Sequence, residues 1–76
     1  MATFTVRQGQ RYRAILSLGF LERLASNDMI GKKLSDAGFA EVSVSGSGAS
    51  RVAEALWPGP DTTATMPSQI INVIDI

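Results

Sequence analysis

Residues 45–51, Ser-Gly-Ser-Gly-Ala-Ser-Arg, come nearest in this chain to a chemical motif. Gly46 and Gly48 would let the backbone approach a ligand closely, and N–H groups at the start of a helix bind phosphate well. Arg51 would add a charged fork with two parallel donors. Such an anion or glycan site needs residues 49–57 to be helical. The spacing is neither a P-loop nor a dinucleotide fingerprint, because no glycine lies three residues after Gly48 and no lysine follows. The competing reading is a hairpin tip with solvated serines. It is favoured, because residues 41–45 (EVSVS) alternate as a one-sided strand does.

Catalysis starts from a deficit. The chain has no histidine and no cysteine, so the commonest acid, base and nucleophile are missing. The usual zinc ligand sets are missing as well. Carboxylates, serines, Lys32-Lys33 and Tyr12 remain, with no Ser-Lys or carboxylate pairing at a meaningful spacing. The expectation is a protein that is not an enzyme and carries no cofactor or metal. Trp57 beside Pro58-Gly59-Pro60, together with Met66-Pro67, offers a binding surface instead, since tryptophan and methionine are favoured at interfaces. The plainer alternative has Trp57 capping the core beside Phe20 or Phe39.

The elements that must position these residues are short. Residues 3–7 (TFTVR) alternate as a strand, and Gln8-Gly9-Gln10 is a turn candidate leading into residues 11–18 (RYRAILSL). There Tyr12, Ala14, Leu16 and Leu18 share one face, and Arg11, Arg13, Ile15 and Ser17 the other. The two strands read as a hairpin. Residues 20–37 carry Phe20, Leu24, Ile30, Leu34 and Ala37 near one helical stripe. Ser26 or Asn27 suits a helix cap, which predicts one kinked helix or two short ones. Gly38 stands where a left-handed cap belongs, with Phe39 behind it to pack back.

Residues 49–57 fit two patterns. Ala49, Val52, Ala53, Leu56 and Trp57 recur at helical spacing. As a strand, Val52, Glu54 and Leu56 would oppose Arg51, Ala53, Ala55 and Trp57. A glycine turn after a one-sided strand favours the strand. Residues 58–68 read as a loop. Residues 69–76 (QIINVIDI) read as a last strand, with Ile70, Ile74 and Ile76 on one face and Ile71 and Val73 on the other.

The order predicts a single α+β domain over residues 1–76, a small ferredoxin-like (split βαβ) variant. One main helix would lie on a mainly antiparallel sheet of four to five strands, with a loop in place of the second helix. Leu18-Gly19-Phe20, Ala37-Gly38-Phe39 and Arg51-Val52 also resemble the order of pieces in peptidoglycan-binding SPOR domains, over roughly the middle half of the chain. That family's second helix has no counterpart here, and no ligand-binding residue is carried over.

Charge narrows the partners. Seven basic and seven acidic residues cancel, which is not the footprint of a nucleic-acid binder. Residues 1–35 hold Arg7, Arg11, Arg13, Arg23, Lys32 and Lys33 against Glu22 and Asp28, a net +4; residues 36–76 hold Arg51 against Asp36, Glu41, Glu54, Asp61 and Asp75, a net −4. Pairing of the halves within one domain is favoured over head-to-tail association. No apolar run is long enough for a membrane span, residues 1–10 carry no secretory pattern, and a cytoplasmic location is expected.

A chain of 76 residues with no disulfide has little margin, yet 45% of it is apolar. The expectation is a non-enzymatic interaction or structural-accessory domain that self-associates or docks into a larger assembly. Trp57, Met66, Ile71 and Val73 would supply the contact.

Overall fold

The computed structural model describes residues 3–76. Six strands, a 3₁₀ turn and one α-helix follow in the order β1 Thr3–Val6, β2 Arg11–Ser17, the turn Glu22–Leu24, α1 Asn27–Asp36, β3 Ala40–Ser47, β4 Ser50–Leu56, β5 Thr62–Thr65 and β6 Ile70–Asp75. The fold is α+β. A four-stranded antiparallel sheet has the order β3-β4-β2-β6, and β1 and β5 form a separate two-stranded ribbon. Among the described residues, no helix is long and apolar enough to cross a membrane.

The expected hairpin between residues 3–7 and 11–18 does not form. Both edges of β2 are already occupied. β4 pairs along its whole length, from Arg11 opposite Leu56 to Ser17 opposite Ser50, and β6 takes the other side. With no free edge on β2, β1 turns away at Gln8-Gly9 and pairs with β5. The loop expected over residues 58–68 therefore contains a strand. All four β5 residues are exposed, so no apolar period marked it. Its threonines suit a pleated surface, and Thr63 Oγ1 lies 2.7 Å from Thr5 Oγ1 across the ribbon.

The helical segment breaks where its capping residue stands. Ala25 is extended, and the Ser26 hydroxyl accepts the Met29 N–H at 3.1 Å, capping α1. Gly38 has φ +112°; its N–H donates to Ser35 O and the Phe39 N–H to Leu34 O, which closes α1 in a Schellman motif. A Cβ at Gly38 would also sit 3.1 Å from the Trp57 ring. The break at Ala25 resets the helical phase, so the stripe expected through Phe20 and Leu24 fails: they are 79% and 82% exposed. Ile30 and Leu34 alone carry the stripe inward, onto Leu16, Leu18 and Ala53. α1 approaches β3 closely at Gly31, where an added Cβ would lie 3.7 Å from Val42 and 3.8 Å from Val44.

β4 settles the ambiguous segment as a strand. Gly48 alone of the two central hairpin residues has positive φ, +67°, which is the type II′ arrangement. Arg51, Ala53 and Ala55 face inward. On the outer face the cross-strand pair Arg13–Glu54 closes at 2.8 Å, and Arg11 meets Glu41 at 3.3 Å. Both ion pairs join the basic first half of the chain to the acidic second half. They are well exposed, so each contributes a few tenths of a kcal/mol, on the order of 0.2–1.

Candidate functional site

One half of the sheet's inner face lies under α1. The other half is roofed by the narrow β1–β5 ribbon, and a cavity of about 280 Å3 opens between them. Its floor comes from Tyr12 and Ala14 on β2, Ala53 and Ala55 on β4, and Ile70 and Val73 on β6. Leu34 of α1 and Ala37, which caps its end, form one wall, and Phe4, Val6, Thr62 and Ala64 of the ribbon the other. Phe39, Trp57, Met66 and Pro67 complete the rim. The floor is deep because alanines build it; Ala14 and Ala53 stand directly opposite each other.

Two aromatic pairs hold the walls. Phe4 meets Tyr12 edge-on at 5.2 Å, and Phe39 meets Trp57 at 5.0 Å. Their polar ends are engaged within the fold: Tyr12 Oη accepts the Arg7 N–H at 2.8 Å, and Trp57 Nε1 donates to Pro60 O at 2.8 Å. Among the described residues, no acidic or basic side chain lines the cavity. A sealed void loses about 24 cal/mol per Å3, so one this large would cost about 7 kcal/mol, against a total stability of about 4–11 kcal/mol for so short a chain. The cavity is half-open, which lowers the cost to that of wetting apolar walls.

The glycine-rich segment is built differently. Residues 49–57 form no helix, so the helix terminus an anion cradle requires is not there. The positive φ of Gly46 and Gly48 serves the hairpin turn. A Cβ on Gly46 would come within 2.7 Å of the Ser50 carbonyl oxygen. Arg51 is 4% exposed and points inward. Its Nε donates to Gly48 O at 3.1 Å, Nη1 to Asn27 Oδ1 at 2.8 Å, and Nη2 to Arg23 O at 3.0 Å. Asn27 Nδ2 in turn donates to Gly46 O at 3.1 Å. The guanidinium thereby ties the hairpin tip, the start of α1 and the 3₁₀ turn into one unit.

Three of the four residues expected to form a contact, Trp57, Met66 and Val73, meet around the cavity. Ile71 does not. A bulge between Ile15 and Leu16 leaves Ile71 outside the pairing, with Ile70 opposite Leu16 and Asn72 opposite Ile15. The alternation expected for residues 69–76 is therefore reset. Ile70 and Val73 share the inner face, and Ile71 is 62% exposed. Sequence reasoning missed the larger exposed group: Phe20, Leu21, Leu24 and Met29 around the entry to α1. Glycine beside an aromatic in a break between strand and helix was the available signal. Glu22 stiffens this entry by accepting the Gly19 N–H at 2.8 Å and a bond from Gln69, and these hold its carboxyl below the usual value, the Gly19 bond foremost.

The two sheet edges differ as well. β3 is guarded by a bulge near Glu41, whose φ is +50°, and by Gly46 at its far end. β6, with the sequence IINVID, has one charge, Asp75, and carries exposed Ile71 and Ile74.

Compared with family models, curated proteins and solved structures, the chain matches none.

Proposed function

We propose that this chain is a non-enzymatic interaction module that associates with a second copy of itself through its unguarded β6 edge and the apolar residues beside it. The observation that carries this reading is exposure. Phe20, Leu21, Leu24, Met29, Ile71, Ile74 and Ile76 are large apolar side chains between 43% and 82% exposed. Among the described residues, no large side chain is fully buried. These side chains leave apolar surface in contact with water, and association recovers about 25 cal/mol for each Å2 removed from it. An unpaired strand edge of isoleucine and valine is matched by another strand edge, and a two-fold axis through β6 would join two sheets into one.

In the same way, we read the architecture as a ferredoxin-like variant. β2 and β3 are joined through α1, run parallel to each other and are split by β4, which supports a split βαβ core. The β1–β5 ribbon stands where a second helix would lie. A cysteine-free chain of this kind fits the cytoplasm.

Light scattering at high micromolar concentration tests the function. The expected species is a dimer or larger, and Ile74→Lys shifts it toward monomer. A single 8.1 kDa species at every concentration would refute self-association.

A further inference from the structure

We infer that the cavity under the β1–β5 ribbon is a binding site for one small, uncharged, apolar molecule about the size of two fused rings. The inference does not rest on self-association. Size is the first argument. At about 280 Å3 the cavity is nearly twice an engineered void of about 150 Å3 that accepts benzene.

Chemistry is the second. Its body is carbon and sulfur, from Phe4, Leu34, Phe39, Met66 and Val73. Tyr12 and Trp57 have their polar ends bonded within the fold, and the remaining side-chain polar groups are the hydroxyls of Thr62 and Thr65. With no charged side chain among the described residues facing it, a carboxylate, phosphate or ammonium would enter unpaired. Threonine hydroxyls can orient a neutral ligand at the rim.

Shape is the third. Phe20, Leu21 and Leu24 lie fully open on the surface, as suits a protein partner. The cavity is concave, walled by α1 on one side and the ribbon on the other, and its depth is set by the small side chains of Ala14, Ala53 and Ala55. Concave apolar sites with few polar groups are the usual form of small-molecule sites.

The test uses 1-aminonaphthalene with the whole chain. Trp57 is the single tryptophan and lines the cavity, so transfer of its excitation to the probe reports binding at this place. Saturable one-to-one binding is expected, displaced by naphthalene and not by 2-naphthoate. Ala14→Leu fills the floor and should weaken binding about tenfold or more. Ala64→Leu, on the exposed ribbon, provides a second blocking variant should the first fail to fold. Ile74→Lys lies on the opposite sheet face and should leave binding unchanged. No saturable transfer, or undiminished affinity in a folded blocking variant, overturns the inference. So does binding that disappears in Ile74→Lys along with the dimer, since that would place the probe between copies.

Discussion

The two halves of the sheet's inner face are covered by different means. At the end of the sheet that holds Leu16 and Arg51, α1 brings Ile30 and Leu34 down onto Leu16, Leu18 and Ala53, and Gly31 lets the helix come close to β3. Arg51 closes that end by donating to three oxygens. At the end that holds Tyr12 and Ala55, a ribbon of four-residue strands does the covering, and it stands off an alanine floor. A helix presents a broad stripe of side chains to a sheet; a two-stranded ribbon presents alternate residues only. The first half is consequently packed and hydrogen-bonded, and the second is hollow. Stability should therefore reside at the hairpin and helix, and binding at the ribbon.

The comparison breaks first at Arg51. Arg51→Leu leaves Asn27 Oδ1, Arg23 O and Gly48 O short of a donor, and should cost about 3 kcal/mol in urea unfolding. A loss under about 1 kcal/mol would mean that the hairpin end is not held this way. Gly38→Ala should cost about 2 kcal/mol, because it combines a left-handed backbone with a close approach to Trp57. Trp57 emission should shift in the same variant.

Ala14→Leu sharpens the contrast through its sign. Filling the hollow half should stabilise the chain by about 1 kcal/mol, whereas added bulk in a packed core usually destabilises by about 1–3. Destabilisation by Ala14→Leu would show that the ribbon already closes onto the floor.

The smallest effect is on Glu22. Its folded pKa is lowered by the Gly19 and Gln69 bonds, so its contribution is present above the unfolded value near 4.5 and is lost as pH falls through the lower folded value. Glu22→Gln should flatten the stability profile across that acid range by lowering stability slightly at neutral pH, and should leave stability below the folded value unchanged.

Much of the packed half was legible in the sequence, because its signals are local. Ser26 reads as a cap and Gly38-Phe39 as a stop within one turn of the helix they bound. Val42 and Val44 alternate with serine, and the glycine turn after them implies a returning strand. The hollow half was less legible because its partners are remote. Nothing in residues 3–7 says that both edges of β2 are already occupied, and the exposed threonines of β5 carry no period. Phe20 and Leu24 misled because helical spacing was counted across the extended Ala25. Alternation in residues 50–56 places Arg51 on the face of Ala53 and Ala55, yet its burial depends on Asn27 and the Arg23 carbonyl from another part of the chain. One extra residue at Ile71 reversed the faces expected at the C-terminal strand.

Amide hydrogen exchange, read strand by strand across a range of protein concentrations, tests self-association at β6 most directly. β6 amides should gain protection as concentration rises, while those of the guarded edge β3 stay constant. Exchange at β6 that is fast and indifferent to concentration would contradict the account.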